Sequence, residues 1–137
     1  MPARFDEVDG KTVIRTKADF AYVPNDLKSK LGEHGKAVAL IRPKCCVVAM
    51  HDDWGCPYLL AYVDRETQQI RWVSKCWGSF NDAGIYLSGN CTQWLEITEQ
   101  DDRIIVFGDA GGFHVEAFRV SDGQSLFRFS NYFSSSL

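Results

Sequence analysis

Leu60-Ala61-Tyr62-Val63-Asp64-Arg65-Glu66-Thr67-Gln68-Gln69-Ile70-Arg71-Trp72 reads as a strand, a polar turn and a returning strand. Its first part is apolar and β-favouring, Asp64 to Thr67 turns the chain, and the residues up to Lys75 alternate, with Ile70, Trp72 and Ser74 on one side. Working upstream, Cys45 to Met50 is continuously apolar, which predicts a strand covered on both faces. Ala37 to Ile41 precedes it across the turn Arg42-Pro43-Lys44, and His51 to Pro57 forms a loop by its Gly, Pro and Asp content. Thr12 to Thr16 and Asp19 to Val23 are earlier strands. After Pro24, Asn25 caps one short helix near the N-terminus, in which Leu27 and Leu31 share a face and Gly32 marks the end.

Downstream of the connection Trp77 to Gly84, the pattern begins again. Thr92 to Thr98 is a strand, Glu99 to Asp102 a polar turn, and Ile104 to Phe107 a second strand. Gly108 to Gly112 is a loop, Phe113 to Val120 a third strand, and Ser121-Asp122-Gly123-Gln124 carries the Asp-Gly signature of a tight hairpin. In the last strand Phe127 and Phe129 fall on one face. Overlaying 37–77 on 94–133 places Val47 over Ile104, Ala61-Tyr62 over Ala117-Phe118, and Trp72 near Phe127, a self-similarity of the kind that marks internal repeats.

The fold class expected is mainly β: two similar antiparallel units, blade-like or packed as an open sandwich, with that one helix. The whole chain, 1–137, reads as a single domain, with N-terminal strands and helix over 1–35, a first unit over 36–77 and a second over 92–133. The stretch Leu60 to Trp72, and its counterpart Glu116 to Phe127, resembles the repeat of quinoprotein-type (PQQ-like) β-propellers. There a strand ending in an aromatic leads through Asp, Thr and Gly to a strand bearing Trp. Gln68 departs from the pattern, standing where that repeat prefers Gly. A closed propeller needs at least four blades, and about 40 residues per blade leaves room for two here, so no bound quinone is expected from the resemblance.

Composition narrows the function. Net charge is −3 with both signs dispersed and no Lys/Arg run, so a nucleic-acid partner is not expected. No stretch of apolar residues is long enough for a membrane span. The opening residues lack the apolar core of a secretory signal. Five cysteines, with Cys45 and Cys46 adjacent, form no disulfide framework and offer no zinc-type spacing. Reduced thiols in a cytoplasm are the expectation, with no metal and no cofactor.

Chemistry-bearing residues concentrate in two loops. His51-Asp52-Asp53-Trp54 sets an imidazole beside two carboxylates, a pattern that suits a base or a metal ligand and equally a turn shaped by its acids. Asp109, Phe113 and His114 occupy the matching place in the second unit, so these seven residues are the candidate binding rim. The Gly108–Gly112 loop is followed by a strand, whereas phosphate loops lead into a helix. Cys45 or Cys46 would serve redox chemistry only with a thiol titrating below its usual range. No hydrolase elbow, zinc-protease helix or P-loop motif is present. The reading is a cytoplasmic interaction domain without catalysis, binding a protein partner or itself, as a small acidic immunity-type protein does when it caps a toxin. The alternative is a small hydrolase or metal-dependent enzyme using His51, Asp52, Asp53 and His114.

Overall fold

The computed structural model describes residues 1–31, 36–52, 57–77, 94–109 and 112–132. Its elements run β1 (Pro2–Val8), β2 (Lys11–Thr16), β3 (Phe20–Tyr22), α1 (Leu27–Leu31), β4 (Lys36–Ile41), β5 (Cys45–His51), β6 (Pro57–Asp64), β7 (Gln69–Lys75), β8 (Trp94–Gln100), β9 (Arg103–Asp109), β10 (Gly112–Arg119) and β11 (Ser125–Tyr132). They form two antiparallel sheets: seven strands in the order β3-β2-β1-β4-β5-β6-β7, and four in the order β11-β10-β9-β8. The chain is mainly β, and each of the stretches β4–β7 and β8–β11 is a four-strand meander in chain order.

β1 has no counterpart among the strands expected from the sequence. Arg4, Asp6 and Glu7 interrupt its apolar content, and its apolar Ala3, Phe5 and Val8 are themselves no more than partly buried. The strand forms because Asp9 and Gly10, both left-handed at φ 51° and 78°, make a two-residue hairpin turn whose twist matches the flanking strands. Asp6 then accepts hydrogen bonds from Arg4 and Arg15 at 3.2 and 3.1 Å, and Pro2 pairs with Val38 to attach the hairpin to β4. Asp101 and Asp102, at φ 51° and 61°, make a similar turn between β8 and β9.

The apolar run of β5 is buried along both faces, as its composition predicts. Cys46, Val48 and Met50 pack with Ala61, Val63, Leu27 and Leu31 under α1, while Cys45, Val47 and Ala49 join the cluster between the two sheets. Leu95, Ile97, Ile104, Val106 and Phe118 supply the other side of that second cluster. One expectation is corrected here. Ile70 does not share a face with Trp72, because a bulge between Tyr62 and Val63 re-phases β7 and puts Ile70 opposite Val63, against the helix-side cluster.

The sheets are fastened by Trp72. Its ring stacks between Tyr62 and Phe118, with centroids 5.5 and 6.5 Å away, and its Nε1 donates a 2.7 Å hydrogen bond to the Val120 carbonyl. Ser74, two residues on, donates to the Gly123 carbonyl. The β10–β11 turn is thereby clamped to β7, and is braced on its other side by Asp122. That carboxylate accepts from the Gln124 backbone and from Arg119, which together hold it below the usual carboxylate range.

Candidate interaction site

β10 inverts the usual strand chemistry. His114, Glu116 and Phe118 point between the sheets, whereas Phe113, Val115 and Ala117 lie on the outer face. Glu116 is wholly buried, and its Oε2 accepts hydrogen bonds from Arg128 Nη2 and Nε at 2.8 and 3.1 Å and from Ser125 Oγ at 2.7 Å. A buried carboxylate is tolerated only when paired and hydrogen-bonded in this way. His114 is also buried, its ring stacked on Trp77 with centroids 5.4 Å apart.

Because polar groups occupy the inner row, the outer row carries the aromatics. Pairing sets Phe127 beside Ala117 and Phe129 beside Val115, with Ile105 and Phe107 following on β9. Phe113, Phe127 and Phe129 are 41%, 52% and 49% exposed, although burying a phenyl ring is one of the larger gains open to a folding chain.

The candidate rim is divided by this geometry. His51 ends β5, half-buried, and its Nδ1 donates to the Asp52 carbonyl at 2.8 Å. A carbonyl only accepts, so Nδ1 carries the proton and Nε2 is the acceptor when the ring is neutral. Asp52 follows, also half-buried; Asp53 and Trp54 lie outside the described residues. Asp109 ends β9, its backbone paired with Phe113 and Trp94. Phe113 and His114 are brought together in sequence only, since they face opposite sides of β10 and no single surface uses both. Among the described residues no group of three or more His, Cys, Asp or Glu side chains is placed to hold a metal ion.

The thiols among the described residues, Cys45, Cys46 and Cys76, lack the environment that redox chemistry needs. Burial pushes Cys46 up to about 12, with the neighbouring Cys45 adding to the shift, and burial likewise raises Cys45 and Cys76. A nucleophilic cysteine requires the opposite shift.

A surface cleft of about 610 Å³ lies at the turn end of the second meander, lined among others by Arg71, Asp101, Asp102, Arg103, Arg119 and Ser121. Its charges of both signs are interleaved, so it presents no uniform field for a charged ligand. Alternation places Phe127 and Phe129 on one face without distinguishing which face. The opposite charges of Glu116 and Arg128, paired across the hairpin, were the available signal that the other row is the inner one. No helix among the described residues is long and apolar enough to cross a membrane. No family model matches the chain, and no curated protein matches its sequence.

Proposed function

We propose that the protein is a non-catalytic protein-interaction domain whose contact surface is the outer face of β8–β11. The observation that carries this reading is the exposure of Phe113, Phe127 and Phe129 on one sheet face. Contiguous apolar patches of more than a few hundred Å² mark contact sites on soluble proteins, and aromatic rings are the side chains that dominate such contacts. The buried thiols of Cys45, Cys46 and Cys76, none of them in a disulfide, support a reducing, cytoplasmic setting.

We also read the two meanders as copies of one blade-like unit, in keeping with the propeller-type resemblance. Supporting this, the hairpins β6–β7 and β10–β11 each carry a bulge at the same place, between Tyr62 and Val63 and between Ala117 and Phe118. Both have a left-handed residue at the matching turn position, Gln68 at φ 57° and Gly123 at φ 76°. These registers favour an overlay in which β5 and β6 are displaced by one residue from the sequence-based one: Val47 matches Ile105 and Tyr62 matches Ala117, while Trp72 keeps its match to Phe127. A one-residue shift exchanges the faces of a strand. The units are then stacked head to tail, and the face that β4–β7 lays on β8–β11 corresponds to the face that β8–β11 turns outward.

The test is a photo-cross-linking amino acid in place of Phe127, with Phe20, another exposed ring, on β3, as the control position. Proteins trapped from Phe127 and not from Phe20 are expected. The same products from both positions would refute this assignment of the surface.

A further inference from the structure

We infer that the outer face of β8–β11 is closed by the same face of a second copy, the two copies meeting about a two-fold axis. This rests on the interaction reading above and commits it to one partner. The first meander already covers a face of this kind. Its Trp72 face finds an apolar partner surface and a glycine turn to dock on, where a Cβ at Gly123 would stand 2.4 Å from the indole ring. The matching face of the second meander has Phe127 in the Trp72 position, more than half exposed, so the same docking surface is presented a second time.

A continued head-to-tail stack of copies is blocked at its other end. The surface that would receive Phe127 is the far side of β4–β7, and Leu27, Leu31 and Ala21 already cover it. Its turn also carries Gln68 in place of glycine at the matching left-handed position, which puts a side chain where the ring would lie. Among the described residues this leaves the open face of β8–β11 for copies to meet through, and an interface of a patch with itself closes at two.

The face is suited to meeting its own copy. Cross-strand rows run Thr98, Ile105, Ala117, Phe127 and Glu96, Phe107, Val115, Phe129. The single charge in them, Glu96, sits on the edge strand β8 and is ion-paired with the Met1 amine at 3.0 Å. The centre is uncharged, and the arginines of the next cross-strand row, Arg103 and Arg119, lie at the turn end of the face, away from that centre. Strand spacing and rise give a four-stranded sheet of this length a face of about 500 Å². Two such faces bury roughly 1,000 Å², the lower limit for a specific interface, which predicts a dimer that dissociates on dilution.

Native mass spectrometry and light scattering across a dilution series test this, using the wild type, Phe127→Lys and Phe129→Lys. The wild type is expected to pass from twice its 15.5 kDa mass to a monomer on dilution. Each Lys variant is expected to raise the dissociation constant about 30-fold or more, as loss of a central aromatic anchor does. Both positions are exposed in the monomer, so circular dichroism and melting should match the wild type at dilutions where the wild type is itself monomeric. A wild type that stays monomeric at its highest attainable concentration overturns the inference, as does a dimer that both variants leave intact. If the monomer nonetheless cross-links another protein through position 127, the second copy is wrong and the interaction surface stands; if it cross-links nothing there, both fall.

Discussion

The indole of Trp72 on β7 reads the backbone of the opposite sheet, donating its N–H to the Val120 carbonyl at 2.7 Å while its ring lies over the turn that ends at Gly123. This one side chain combines stacking, burial and a directional bond, so the two sheets meet in a defined register rather than by apolar contact alone. Trp72→Phe keeps a ring but leaves the Val120 carbonyl without its donor, for an expected loss of about 1–3 kcal/mol. Trp72→Ala also opens a cavity and should cost about 3–5 kcal/mol. Urea unfolding of both variants measures the difference, and a Phe variant as stable as the wild type would remove the hydrogen bond from the account.

Gly123 and Gly10 allow the ring contact to be separated from backbone strain. Both are left-handed, at φ 76° and 78°, but a Cβ at Gly10 meets nothing within 4 Å whereas one at Gly123 reaches the Trp72 ring at 2.4 Å. Alanine at either position incurs about 1–2 kcal/mol for its conformation. Gly123→Ala should lose a further 1–3 kcal/mol or so by displacing the indole. Equal losses in thermal or urea melts would show that the indole does not rest tightly on this turn.

Much of the architecture was legible because period and composition agree locally. The run Cys45 to Met50 has no polar position, so burial on both faces followed, and Leu27 with Leu31 sufficed to orient α1. β1 was missed because three charged side chains dilute its alternation, and its stability comes from the Asp9-Gly10 turn and from pairing with distant β4. The candidate rim was less legible for a different reason. Alternation tells which residues share a face, not which face is inward, and in β10 a buried Glu116 with its partner Arg128 reverses the ordinary assignment. Phe113 and His114, as neighbours on one strand, face opposite sides in any case; the reversal decides that His114 is the buried one, and the opposite charges of Glu116 and Arg128 across the hairpin are its local signal.

Glu116 and Arg128 supply the next test. Arg128→Met leaves the carboxylate of Glu116 buried without its cation and should cost about 3–5 kcal/mol. Replacing both, with Glu116→Leu and Arg128→Met together, removes the charge as well as its partner. The double variant should therefore be more stable than Arg128→Met, because buried ion pairs contribute little beyond their apolar replacements. A double variant that loses the sum of the two single losses would mean that the residues do not act as a pair.

The buried thiols make stability depend on pH in the alkaline range. Burial raises Cys46 from 9.0 to about 12, and moves Cys45 and Cys76 in the same direction. Between pH 9 and 12, then, the folded protein keeps a proton on Cys46 that the unfolded chain has released. The folded state binds more protons there, so its stability must fall as pH rises. The slope is at most about 1.4 kcal/mol per pH unit for each such thiol. Below pH 8 both states hold the proton and this contribution is constant. Urea midpoints measured from pH 7 to 10.5 under reducing conditions should be level at first and then decline, and Cys46→Ala should decline less steeply. Tyr62, raised by burial from 10.0 to about 12, adds a further loss above pH 10 in both proteins and so cancels from the comparison. Parallel curves for the two proteins would mean that Cys46 ionises as freely in the fold as outside it, which is incompatible with its position between β5 and α1.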